Sequence, residues 1–292
     1  MGLFPQFLVD AVLLGGLYCL MAVGLSLAYG VTRIINFAHG EFIMLGAYGA
    51  YLLAAHAHID PLLALPLVAV AVALIAFLIF KVCLERVLDA PHTNQILLLF
   101  AVGLVLQNVV ALIMTGDDRS VSTPYALTAT EIAGLSLPHG RAIAFLVSLI
   151  LAAALVLWLR RTELGRATQA VAQSRDAATL MGINVIRMYA LSFMISAALG
   201  AASGCVVSFL LTVSPFMGFH MLVKGFAIVV LGGLGSIAGT FVASFVLAFA
   251  ETGVAYFVNE GGGWAEGVAL AVLLVVLIIR PSGILGRATE GN

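Results

Sequence analysis

Charge is what this chain has least of. Only 9% of its 292 residues are charged, against 63% that are hydrophobic. A soluble domain carries about 25% charged residues, so this chain lacks the polar surface that water would have to wet. The formal net charge of −1 gives no case for nucleic-acid binding. Lysine is nearly absent: Lys81 and Lys224 are the only two, and no G-x-x-x-x-G-K-[ST] run exists to cradle phosphates. Any energy from ATP must therefore enter through another chain. The three cysteines, Cys19, Cys83 and Cys205, lie in or beside apolar runs with no pairing or metal spacing, and read as small buried hydrophobes. No H-x-x-x-H or Cys/His cluster and no nucleophile–base pattern stands out, so neither a metal or cofactor nor an enzymatic activity is expected. No basic residue precedes the first apolar run, which argues against a cleaved signal peptide.

What the chain has in abundance is long apolar sequence, with a mean hydropathy of +1.16. A membrane-spanning helix needs about 20 apolar residues, whereas barrel strands show as alternating segments of about 10. The runs here are continuous and long. The expected fold is all-α: one polytopic transmembrane bundle over residues 1–292, with about eight or nine spans, some of them broken or re-entrant. The spans read as Phe7–Ala28, Phe42–Ala55, Pro61–Phe80, Gln95–Met114, Arg141–Leu159 and Met188–Thr212, with a last one over Trp264–Ile279. Residues 222–258 are too long for one crossing. They fit either a short half-helix plus a full span or two crossings. By the positive-inside rule the segment 160–187, with Arg160, Arg161, Arg166, Arg175 and Arg187, is cytoplasmic. The loop 81–94 and the C-terminus with Arg280 and Arg287 share that side, and loop 115–140 lies outside. The side of the N-terminus stays open.

Two interruptions stand out. Residues 30–46 bring Arg33, Asn36, His39, Gly40 and Glu41 together between apolar runs, and residues 231–240 contain Gly232, Gly233, Gly235 and Ser236. Polar groups at membrane depth are expensive, and irregular backbone survives there only when buried in protein or lining a cavity. Paired interruptions near opposite ends of a chain point to a transport path. His39 and Glu41 either face that path or pair with each other or with Arg33 to hold the break, the second role being slightly favoured. Asn36 is a candidate cap for the following helix. Glu251, mid-span, is expected to meet Lys224 or a backbone group, in a gating or a packing role. Gln107 and Asn108 are read first as interhelical hydrogen-bond partners. The motifs Gly200-x-x-x-Gly204 and Gly235-x-x-x-Gly239 suit close helix packing, and Leu14-Gly15-Gly16-Leu17 recurs as Leu231-Gly232-Gly233-Leu234. In the cytoplasmic segment, small residues at Ala167, Ala170, Ser174, Ala177 and Ala178 line one helical face. Ser174 can cap a short helix with Asp176 in its first turn and Gly182 at its end. That helix is either a docking element or a solvated connector.

The stretch Asp176-Ala177-Ala178-Thr179-Leu180-Met181-Gly182 resembles the E-A-A-x-x-x-G coupling loop of ABC importer permeases, with Asp in place of Glu. Asn36-Phe37-Ala38-His39-Gly40-Glu41-Phe42, Leu231-Gly232-Gly233-Leu234-Gly235-Ser236 and Arg280-Pro281-Ser282-Gly283-Ile284-Leu285-Gly286 are similar, in order and spacing, to the branched-chain amino acid permease family, LivH-type rather than LivM-type. One departure is that Glu85-Arg86 is followed by Asp89-Ala90-Pro91-His92 where the family has an Arg-Pro pair. The resemblance implies a bacterial inner-membrane ABC importer subunit. Its partners would be a LivM-like second permease subunit, two cytoplasmic ATP-binding subunits and a periplasmic solute-binding protein. It implies cargo among leucine, isoleucine and valine, with relatives that take urea, amides or aromatic acids. It also implies that Arg175, Asp176, Ala177, Ala178 and Gly182 couple to an ATPase. A stand-alone channel or secondary carrier is the competing class, disfavoured by the coupling-like loop and by the lack of a row of carboxylates for ion coupling.

Overall fold

A computed structural model describes residues 3–132, 134–258 and 261–286. The first helix, α1, spans Leu3–Thr32, about 45 Å at 1.5 Å per residue. It is followed by α2 (His39–Ala57), α3 (Pro61–Val82), a short 3-10 turn (Leu84–Val87) and α4 (His92–Met114). A two-stranded antiparallel hairpin, β1 (Ala129–Ile132) with β2 (Leu135–Pro138), leads into α5 (His139–Arg161). Two short helices, α6 (Glu163–Gln173) and α7 (Arg175–Leu180), precede α8 (Val185–Val207). The chain closes with α9 (Met217–Gly232), α10 (Ile237–Phe257) and α11 (Gly261–Ile279). Among the described residues, six helices are long and apolar enough to cross a membrane: α1, α3 with its following turn, α4, α5, α8 and α10. The all-α polytopic fold is as expected. Residues 222–258 resolve into the shorter α9 and the full-length α10, the first of the two readings. Arg287 lies outside the described residues.

Polar residues between the apolar runs set the helix boundaries. Asp60 accepts from Leu62 N at 2.8 Å ahead of Pro61, whose missing N–H costs nothing at a first helical position. Thr162 accepts from Gly165 N at 2.9 Å, and Asn184 from Arg187 N at 3.0 Å. Each such bond satisfies an orphan donor of a helix start, typically worth about 1 kcal/mol.

Helices α1 and α8 form the buried centre, wrapped by α2, α3, α5, α9 and α10. The α2–α8 seam depends on small residues. A Cβ placed on Gly204 would collide with the carbonyl of Ile43, and one on Gly46 with that of Ala201. The Gly200-x-x-x-Gly204 motif is thus a close-approach face. Helices α3, α4 and α5 turn apolar side chains outward, including Leu63, Leu67, Leu112, Ile113 and Ile150. A large exposed apolar belt of this kind is intolerable in water and suits lipid.

The two ends differ. At one end Gln6 exchanges hydrogen bonds with the backbone of Ser136 in β2, and Arg119 bridges Val213 through both backbone groups. Tyr125 donates to Asp60 at 2.9 Å there. Burial, and then the Asp60 carboxylate, pushes its phenol well above the usual range, so it stays a donor. The start of α1 lies at this hairpin end. At the other end, Arg175 of α7 meets Asp89 at 3.5 Å, joining the 81–94 loop to the α6–α7 segment.

Candidate functional site

The first interruption is narrower than the 30–41 stretch. Helix α1 continues to Thr32, whose hydroxyl donates to Ala28 O and accepts from Ile34 N. Arg33 takes a left-handed φ of 60° and points to the α6 carbonyl of Ala172 at 3.4 Å. Residues 34–38 then climb back along α1. His39, fully buried, donates from Nε2 to Met21 O at 3.0 Å, about three turns above the end of α1. A carbonyl can only accept, so Nδ1 is left to accept from the Ser196 hydroxyl at 3.3 Å. The ring lies between Gly24 and Gly200, both too close for a side chain to be added without shifting it. His39 therefore fastens the start of α2 to α1 and α8 together.

Asn36 is buried and accepts from Ala38 N at 3.1 Å, while its carbonyl accepts from His39 N at 3.2 Å. It shapes the turn before the helix rather than capping α2, whose first residue is His39. Gly40 packs on the backbone of Gly218, bringing the starts of α2 and α9 together. The favoured pairing of His39 and Glu41 with each other or with Arg33 is not formed. His39 spends both nitrogens elsewhere, Arg33 sits near α6, and Glu41 Oε2 is buried without a hydrogen-bond partner.

The second interruption is made of backbone. Gly233 has φ 100° and Gly235 φ 79°, and Ser236 accepts from Gly239 N at 3.1 Å to start α10. The C-terminal motif closes over it. Ile284 N donates to Leu231 O at 2.8 Å and Leu285 N to Gly232 O at 3.1 Å, satisfying the last carbonyls of α9. Gly286 sits directly against Gly233, and a Cβ on Gly235 would come within 2.8 Å of Gly30. Two motifs far apart in sequence are thus one structure, resting on the end of α1. The Leu-Gly-Gly-Leu recurrence has no counterpart in the fold: Gly15 and Gly16 lie inside α1 against Phe245 and Phe145.

Between the helices lie two charged groups. Glu251 on α10, 6% exposed, accepts a short hydrogen bond from Tyr18 and meets Lys224 Nζ at 3.5 Å. Lys224 also donates to the Tyr18 hydroxyl at 3.2 Å. The expected Glu251–Lys224 contact is present, with Tyr18 as its third member. About two turns along α1, Asp10 accepts from Tyr256 and Gln6 and meets Arg141 at 3.3 Å. Both groups border one cavity of about 510 Å³, walled by apolar residues such as Leu14, Leu17 and Met21. A wider cavity of about 690 Å³ continues from Asp10 to the hairpin. Asp10, Tyr18, Arg141 and Tyr256 were not singled out by sequence reasoning. The signal available was an acid inside the first apolar run, which at membrane depth needs a partner.

Gln107 borders a separate cavity of about 330 Å³ together with Glu41, and Asn108 donates to Leu104 O of its own helix at 2.7 Å. Neither interhelical bond expected for this pair is present among the described residues.

At the opposite end, Ser174 closes α6 and caps α7, accepting from Ala177 N at 3.2 Å. Ala178 is buried against the body, and Gly182, φ 79°, ends the turn with open space around it. Leu180 and Met181 project outward, 87% and 81% exposed. Arg175 and Asp176 stand beside them in the first turn of α7.

A bundle of this kind, with interrupted helices, internal charge pairs and cavities between its helices, is a multi-pass membrane transport protein. Over residues 7–279 the chain matches the family described as "Branched-chain amino acid transport system / permease component", and it belongs to that family. It is 34% identical over 300 residues to the high-affinity branched-chain amino acid transport system permease protein LivH of Salmonella typhimurium, covering 97% of this chain and 96% of that one. It is 33% identical over 298 residues to the corresponding protein BraD of Pseudomonas aeruginosa, with the same coverage. A probable LivH of Methanocaldococcus jannaschii is 27% identical over 292 residues.

Proposed function

We propose that this chain is the LivH-type permease subunit of an ABC importer in the bacterial inner membrane, carrying branched-chain or other hydrophobic amino acids. The observation that carries the reading is similarity to LivH and BraD along essentially the whole of both chains. The full chain serves as one transmembrane permease domain. Its α6–α7 end, with Arg160, Arg161, Arg166 and Arg175, faces the cytoplasm, and the hairpin end faces outward, where a periplasmic binding protein delivers cargo. A LivM-like subunit supplies the other half of the path, and two ATP-binding subunits drive it.

The coupling element is α7. Arg175, Asp176, Ala177, Ala178 and Gly182 form a rigid turn that presents Leu180 and Met181 to an ATPase groove. An exposed apolar pair on a capped, ion-paired helix is costly in water, and docking removes that cost. The two interruptions, around Asn36, His39, Gly40 and Glu41 and around Gly232, Gly233, Gly235 and Ser236, shape the moving part beside the path. Glu251 belongs to the path wall.

The test is radiolabelled uptake by the complete complex in proteoliposomes, challenged with a panel of amino acids, urea and short amides. ATP-dependent uptake of leucine, isoleucine and valine is expected, with no competition from urea. ATP-independent uptake by this chain alone would overturn the importer reading.

A further inference from the structure

Glu41 is the one acid in the bundle's interior, among the described residues, that has been given no counter-charge. Glu251, equally buried at 6% exposure, holds Tyr18 and Lys224, and Asp10 holds Tyr256, Gln6 and Arg141. Glu41 Oε2 has no hydrogen-bond partner. The first turn of α2 offers its positive dipole end, which offsets part of the cost of a buried carboxylate but supplies no hydrogen bond. A carboxyl buried in this state is neutral when it stands alone, and takes up its charge when a cationic partner enters beside it.

The surroundings state what kind. Glu41 lines a cavity of about 330 Å³, within the range of small-molecule sites of about 300–1,000 Å³. Four phenylalanines, Phe37, Phe100, Phe216 and Phe219, form much of its wall, and Gln107 and His220 are its other polar groups. Aromatic faces attract an ammonium through the ring quadrupole and accommodate an aliphatic chain equally well. Glu41 also packs closely on α9: a Cβ on Gly218 would come within 2.6 Å of its Oε2 and would push the carboxylate aside, while His39 anchors the same helical turn to α1 and α8.

We infer that Glu41 and this aromatic-walled cavity form a recognition site for the ammonium group of the cargo, a zwitterion with an apolar side chain. Gln107 and His220 then face the cargo's carboxylate as hydrogen-bond donors. The site rests on the amino-acid reading above for the identity of the cargo, but its preference for an ammonium over a carboxylate follows from Glu41 alone.

The test uses the assembled complex with its ATPases. The thermal stability of wild-type, Glu41→Gln, Glu41→Asp and Gly218→Ala complexes is measured with 3-methylbutylamine and with 4-methylpentanoate. Leucine uptake and binding-protein-stimulated ATP hydrolysis are measured in parallel. The amine is expected to stabilise the wild type and not Glu41→Gln, and the acid neither. Leucine uptake per ATP should fall about tenfold in Glu41→Gln, the loss of one charge-assisted contact, and recover in part in Glu41→Asp. Gly218→Ala keeps the carboxylate and only pushes it aside, so it should weaken the amine's effect less than Glu41→Gln does. Equal stabilisation of wild type and Glu41→Gln by the amine, wild-type uptake by Glu41→Gln, or a Glu41→Gln complex that fails to assemble would each overturn the site. A wild-type complex that binds the amine through Glu41 yet takes up no leucine would leave the site standing and remove the cargo reading.

Discussion

The two interruptions solve one problem by opposite means. At 33–38 the backbone leaves the helix and is held by side chains: Thr32 and Asn36 accept from the N–H groups of Ile34 and Ala38, and the His39 ring ties the turn that follows to α1 and α8. At 233–236 there is hardly any side chain to use, and the backbone is held by other backbone, namely Ile284 and Leu285 across the end of α9 and Gly30 beneath Gly235. The first is a polar lock within a cluster of three helices. The second is a close contact that requires the absence of side chains. Side-chain locks can be removed one bond at a time, whereas a glycine contact fails as soon as volume is added.

Substitutions should separate the two. Gly233→Val is expected to have the largest effect. It combines a left-handed φ of 100° with a collision against Gly286, so strain and overpacking together should cost about 3 kcal/mol or more. Loss of folded, detergent-extractable protein checks it, and normal yield and melting temperature would contradict the backbone-contact account. His39→Ala removes two buried hydrogen bonds and leaves a cavity between Gly24 and Gly200. About 3 kcal/mol is expected, read as a lowered melting temperature. If His39→Gln recovers half of it, the bonds rather than the ring volume make the lock. Ser236→Ala takes away only a helix cap and should cost about 1 kcal/mol. A cost as large as that of His39→Ala would show that the second interruption also depends on side chains. Gly182 is the control, a glycine of similar φ with nothing packed against it. Gly182→Trp should cost this chain only the strain of its positive φ, about 1–2 kcal/mol, and leave insertion intact while abolishing ATPase co-purification. Retained co-purification and transport would remove α7 from the coupling role.

Much of the architecture was legible because lipid imposes a simple rule on sequence. Helix lengths follow from apolar runs, and Ser174 caps α7 as its sequence suggests; Asp60, Thr162, Asn184 and Ser236 cap their helices in the same local way, whereas Asn36 does not cap α2. The contact of Glu251 with Lys224 was foreseeable too, since few charges were available inside the bundle. The choice of partner for His39 was not. Its neighbours in sequence, Arg33 and Glu41, are the partners that sequence distance offers, but the return of residues 34–38 along α1 carries the ring to Met21 and Ser196 instead. Asp10 illustrates the same limit. Its partners Arg141 and Tyr256 come from helices more than a hundred residues away, and nothing local in sequence records which helix faces meet.

The sequence by itself therefore determined the class: an all-helical membrane chain, interrupted twice, with a capped helix among its basic residues. Apolar length, caps and glycines act over a few residues and can be read directly. Only the tertiary structure decided which buried groups are satisfied. It gave Glu251 a lysine and a tyrosine, joined the C-terminal motif to the second interruption, and left Glu41 facing a cavity without a counter-charge. Burial turns the pairing of a charge into a large energy, and pairing is set by helix register and packing across the whole chain.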